Sequence, residues 1–195
     1  MRYFNNFNSK INYGNRGMIL ENDINETNNY YLINNIAIIY KKPTPIKILH
    51  LDYKTNKITN AFFETQSTLD YNGVYKGRYI EFDAKETTSK TSFPLSNIHN
   101  HQIKHIENII NNDGICFLII RFVSLNKTYL LFGKDLINFI KNEERKSIPL
   151  SYFENNCKKV ELKYSPRLDY IKIIKEYMEE KWKSFLKNLV FSILF

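Results

Sequence analysis

Cysteine is scarce in this 195-residue sequence, where Cys116 and Cys157 are the only two. Two thiols cannot build a disulfide framework, and no paired-cysteine zinc spacing is present, so a reducing, cytoplasmic setting fits better than secretion. Glycine and proline are also few, at 6 and 5 residues, which excludes fibrous and low-complexity chains. Long apolar runs are missing as well. The two longest, "GICFLIIRFV" and "FLKNLVFSILF", reach about half of the roughly 20 residues a spanning helix needs, and the second contains a lysine. The opening "MRYFNNFNSKINYGNRG" has no apolar signal core, so nothing marks the chain for export and no membrane role is expected. Acidic residues are outnumbered, 20 Asp and Glu against 28 Lys and Arg, for a net charge of +8. That excess suits a polyanionic partner, and it also suits a plain solvated surface. Apolar residues (43%) and aromatics (15%) are plentiful, so the chain can fill the core of one domain and is not disordered.

Residues 1–14 are polar and without period, and are read as a flexible arm. A first helix is expected from about Asn15, with Leu20, Ile24, Thr27 and Tyr31 on one face and Glu21 at its edge. "IAIIYKK" reads as a strand closed by Pro43 and Pro45. The alternation in "IKILHLDYKTNKITNAFFE" on both sides of a polar turn reads as a hairpin, and "STLDYNGVYKGRYIEFDAKET" holds two further strands. Ser96 is a plausible cap for a helix with isoleucines at 98, 103, 106, 109 and 110, ended by Gly114. "ICFLIIRF" suits a strand buried on both faces, with "KTYLLF" beside it and helices at "DLINFIKNEERK" and from Leu168 to the end. The fold class is therefore α/β, a mixed central sheet flanked by helices.

Chemistry gathers in the second strand pair. If "VYKGRY" turns about Lys76 and Gly77, counting outward sets Asp70 opposite Asp83, with Asp83, Lys85 and Glu81 on one side of their strand. Opposed like charges destabilise a sheet, and a divalent cation held by hard oxygen ligands would offset this, which suits Mg²⁺ or Mn²⁺. A turn at Asn72-Gly73 is the rival register; it would separate the two aspartates and leave ordinary surface carboxylates. Lys41, Lys42, Lys76 and Arg78 flank the pair as DNA contacts or as solubilising charges.

"NRGMILENDINETNNYY", "KKPTPI", "STLDYNGVYKGRYIEFDAKET", "SFPLSNIHNHQIKHI", "GICFLII" and "YSPRLDYI" resemble, in order, the blocks of the RecU-type Holliday junction resolvases of bacterial recombination. The resemblance covers about residues 15–175 and implies a restriction-endonuclease-like nuclease of the PD-(D/E)XK superfamily. It implies that the hairpin at about 46–64 is a protruding stalk, that the protein is a homodimer binding four-way junction DNA, and that the strand-exchange recombinase is a possible partner. By the same resemblance Asp70 and Asp83 ligate the catalytic Mg²⁺, for which Mn²⁺ can substitute, and Glu21 completes the acidic cluster. Lys85 then orients the attacking water, and Gln102 supports the lysine or a phosphate. Asp83 stands where the family usually has Glu, and Leu69 where it commonly has Thr. The implied activity is symmetric nicking of opposing strands. Two other readings are a nuclease acting on ordinary duplex and a non-catalytic junction-binding modulator of the recombinase.

His99, His101 and His105 share one helix, where helix surface or phosphate contact is favoured over zinc for want of a third ligand. Phe62 and Phe63 on the hairpin are read as dimer core. Residues 176–195 lie past the resemblance and are read as a helical extension docked on the body, because their apolar residues are many. Cys116 is read as inert core.

Overall fold

Alternation and periodicity turn into the following elements in the computed structural model, which describes residues 18–63 and 68–194, with side chains from 19 to 63 and 68 to 187. In chain order they are α1 (Met18–Ile33), β1 (Ile38–Lys41), β2 (Ile46–Asp52), β3 (Lys57–Phe63), β4 (Tyr71–Tyr75), β5 (Arg78–Thr87), β6 (Ser92–Pro94), α2 (Asn100–Asn111) and β7 (Ile115–Phe122). They continue with β8 (Lys127–Phe132), α3 (Gly133–Asn142), β9 (Ser147–Pro149), α4 (Leu150–Asn156), β10 (Lys158–Lys159) and α5 (Tyr170–Leu194). The arm at 1–14 and the start of the first helix near Asn15 lie outside the described residues. Among the described residues no helix is long and apolar enough to cross a membrane.

Six strands form one mixed sheet in the order β1-β4-β5-β7-β8-β10. Only β5 and β7 are parallel, which requires the crossover through α2; the other neighbours are antiparallel. β7 is buried along its whole length, as its unbroken apolar run requires. On one face Leu20, Ile24 and Tyr31 of α1 and Ile171 and Ile174 of α5 pack on Ile80, Phe82, Phe117 and Ile119. Tyr71, Phe82 and Phe117, in register on three adjacent strands, stack ring on ring at 4.8 and 4.7 Å. On the other face α2, α3 and α4 cover Cys116, Leu118 and Ile120. Both faces of β5 are thus enclosed, so the Glu81, Asp83 and Lys85 side is no open surface.

Two local features differ from the sequence reading, and the expected hairpin forms. The helix after β6 begins at Asn100, capped by His99 with Gln102 closing a reciprocal capping box, while Ser96 lies in a short turn at Leu95–Asn97. The β2–β3 hairpin pairs only with itself, and its side chains are exposed on β3 and on most of β2. In α5, Tyr177 stacks on Phe132 at 4.2 Å, but residues 179–187 are exposed rather than docked, with Trp182 and Phe185 stacked on each other at 5.7 Å. The helix outruns the core it could cover.

α1 is fastened by a buried polar group. Asp23 accepts from Arg121 of β7 at 2.7 Å and from both Nε and a terminal nitrogen of Arg167 at 3.0 and 2.9 Å. Arg121 also donates to the Thr128 hydroxyl at 3.1 Å, and the Leu168 N–H donates to Thr27 at 2.9 Å. Burial raises the Glu86 carboxyl, against the pull of Arg121 and of the Leu20 N–H in the first turn of α1.

Candidate active site

β4 and β5 join through Lys76 and Gly77, both at positive φ (50° and 76°), the pair of conformations a tight hairpin turn needs. The ladder runs Tyr75 to Arg78, Val74 to Tyr79, Gly73 to Ile80, Asn72 to Glu81 and Tyr71 to Phe82, so the next pair outward is Asp70 and Asp83. The rival turn at Asn72-Gly73 does not occur, because Gly73 is spent on close approach. A Cβ there would stand 2.6 Å from the Ile39 Cα of β1.

Asp83 is fully buried, and each of its oxygens is held. Oδ1 accepts the Ala84 N–H at 2.8 Å; Oδ2 accepts the Gln102 carboxamide at 2.9 Å and the Lys85 ammonium at 2.9 Å. Asp70, half-buried just before β4, faces it. Burial, then a hydrogen bond and charge repulsion from Asp83, push the Asp70 carboxyl up to about 6, against the pull of Lys85 and Lys41. Asp70 therefore holds a proton into the weakly acidic range, where an ordinary aspartate has lost it.

Gln102 is buried, and its nitrogen donates to the Thr68 carbonyl at 2.8 Å as well as to Asp83. Its oxygen accepts from the His99 N–H at 3.2 Å. Both N–H donors are committed, so Gln102 positions Asp83 and has no donor left for DNA, contrary to the contact expected of it.

Glu21 bonds the Lys41 ammonium, whose charge also acts on Asp70. Alternation along β1 puts Lys41 on the α1 side of the sheet, where its ammonium bonds Glu21, and Lys42 on the Asp70 side. Among the described residues no group of three His, Cys, Asp or Glu is placed to hold a metal ion. Lys76 and Arg78 are exposed but do not flank the aspartates. Lys76 is six positions along the hairpin from Asp70 and Arg78 five from Asp83, about 20 and 17 Å.

The sequence reading gave Glu81 no role. It is buried, and it bonds Lys42, Tyr79 (2.6 Å), His105 (2.9 Å) and Thr68 (3.2 Å). Burial would raise the Glu81 carboxyl, but hydrogen bonds from Lys42, Tyr79 and His105 outweigh it and hold the group below its ordinary value. The signals were its two-residue spacing from Asp83 and the three-residue spacing of Gln102 and His105 on α2. One helix turn lays these two over Asp83 and Glu81 in antiparallel order. Thr68 also keeps a hydroxyl near the cluster, where Leu69 is fully buried and supplies none.

The RecU profile, described as Recombination protein U, matches residues 15–176. The chain belongs to the RecU family. Over 173 residues it is 51% identical to a protein of Pediococcus pentosaceus named Holliday junction resolvase RecU, covering 86% of each chain. Proteins of the same name from a Geobacillus strain and from Lactiplantibacillus plantarum are 50% and 46% identical over 171 and 178 residues, covering 85% and 88% of this chain and 85% and 86% of theirs. RecU family membership thus spans the α1 to early α5 body and leaves most of the projecting helix outside it.

Proposed function

We propose that this RecU-family chain is a divalent-metal-dependent endonuclease that resolves Holliday junctions, acting in the cytoplasm as a homodimer that nicks two opposing strands. The observation that carries the reading is the Asp70–Asp83 pair, with Lys85 and Gln102 on it, in a chain whose relatives bear the resolvase name. The donor set fits a hard cation: two carboxylates facing each other across adjacent strands, with a proton on Asp70 that a cation would replace, and no sulfur. Asp70 and Asp83 would hold Mg²⁺, or Mn²⁺ in its place, which supplies a water of lowered pKa and charge for the phosphate. Gln102 holds the Asp83 oxygen in place. Lys85, bound to the same oxygen and one-fifth exposed, is within reach of a phosphate and offsets negative charge as it builds. Lys41 and Lys42 contact the DNA backbone, the β2–β3 hairpin serves as the stalk, and the fold is that of the PD-(D/E)XK nucleases. In-line hydrolysis leaves a 5′ phosphate and a 3′ hydroxyl.

The test offers a synthetic four-way junction and a linear duplex of matching arms to the protein and to Asp70→Asn, with Mg²⁺ or EDTA. Paired symmetric nicks in the junction alone, needing both metal and Asp70, are the expected result. Equal cutting of the duplex would leave the chemistry standing and remove the junction selectivity. Tight binding without any cutting would make the protein a binding factor.

A further inference from the structure

Glu81 is a sealed carboxylate that the proposed chemistry does not use, and it gathers more polar partners than either aspartate. It is 1% exposed, yet two of the residues bound to it, Lys42 and His105, keep side-chain exposures of 22% and 29%. The acceptor lies inside and the donors lie at the surface. Since an ionised carboxylate only accepts, His105 must carry its proton on Nε2. Lys42 has three donors, of which Thr68 and Glu81 take two. Among the described residues the third meets no acceptor, and about a fifth of the side chain is open to solvent.

The location gives this arrangement a use. Glu81 is two residues from Asp83 on the same face of β5, about 7 Å along the strand. Lys42 continues the ladder opposite Asp70, its N–H donating to the Asp70 carbonyl at 2.7 Å. A strand phosphate beside the aspartates would lie over Lys42.

We propose that Glu81 is a positioning residue, which fixes Lys42, with His105 beside it, as the seat for the backbone phosphate adjacent to the one that is cut. The inference rests on the nuclease reading above. Glu81 also cancels much of the charge it positions, so it restrains affinity while it sets geometry. A merely structural ion pair would have no such split effect.

The test compares single-turnover cutting and junction affinity for the intact protein, Glu81→Gln, Glu81→Asp, Lys42→Met and the Glu81→Gln/Lys42→Met double variant, with Mg²⁺. Glu81→Gln should cut about tenfold more slowly while binding the junction as tightly or more tightly, with a salt slope steeper by up to about one unit. Lys42→Met should lose a similar rate, and the double variant should be no slower than the worse single variant, because both act through one ammonium. Glu81→Asp keeps the charge with less reach and should fall between. Equal loss of rate and affinity in Glu81→Gln, an unchanged rate, or additive losses in the double variant would overturn the proposal. Should Glu81→Gln not fold, Glu81→Asp decides: slower cutting at unchanged affinity supports the role, and parallel loss of both sinks it. Failure of the nuclease reading is separate, since the intact protein would then not cut at all.

Discussion

Asp70 keeps its proton to about pH 6, because burial and the neighbouring Asp83 both disfavour its charge. An ordinary aspartate ionises near 3.8, so between these values the folded chain binds a proton that the unfolded chain has released. Folded stability therefore falls as pH rises from about 4 to 6, and the penalty is complete above pH 6. Asp70→Asn removes it. The variant should melt a few degrees higher than the intact protein at pH 8 without metal and match it near pH 4, and on the proposed metal reading it should lack the rise in melting temperature expected of the intact protein with Mg²⁺. An unchanged melting point at pH 8 would separate the two aspartates. Gly73 carries a different constraint: Gly73→Ala drives a Cβ into the β1 backbone and should destabilise by about 1–3 kcal/mol in urea titration. That same constraint explains how the site could be read before the fold. Alternation along β5 was enough to bring Asp83 and Lys85 together, while setting Asp70 opposite needed the turn at Lys76-Gly77 as well. Composition alone favoured a turn at Asn72-Gly73, since nothing in the sequence says that a glycine is needed for contact with a strand 34 residues earlier. Glu81 stayed unread for a related reason, as its partners come from β1, the segment before β4, and α2.

Among the elements, α1 depends on one acid. Asp23→Ala leaves Arg121, which is 7% exposed, without its carboxylate, and should cost about 3–5 kcal/mol in chemical denaturation. Asp23→Asn should recover part of that loss. α5 behaves in the opposite way. A chain ending at Glu180 keeps the Tyr177 stack on Phe132 and the packing of Met178, so its melting temperature should stay within about 2 °C of the full chain. A larger drop would mean that the projecting turns are covered in solution. Long periodic elements were legible: α2, α3, β5, β7 and β8 follow from their apolar spacing. The three-residue strands β6 and β9 and the seven-residue α4 were not, because they are too short to show a period and form by packing against each other. The cap of α2 was misread because a histidine does the work usually given to serine, and only the glutamine three residues on marks it.

At the scale of the whole molecule, a two-fold assembly would set two Asp70–Asp83 sites on two strands related by the same symmetry. Mixing intact chain with an excess of Asp70→Asn should then yield junctions nicked on one strand, and sedimentation should give twice the 23.3 kDa chain mass. Paired nicks persisting in the mixture would mean that one site visits both strands in turn. The self-paired β2–β3 hairpin adds something of another kind. Two strands without a sheet to lean on open and close locally far more often than the body does. Lys47, Lys54 and Lys57 are exposed there, so trypsin should nick this hairpin before it reaches the enclosed strands. Its rate of digestion then works as a built-in gauge of whatever covers it, slowing when a second chain or a junction arm shields those lysines and unchanged when contacts form elsewhere.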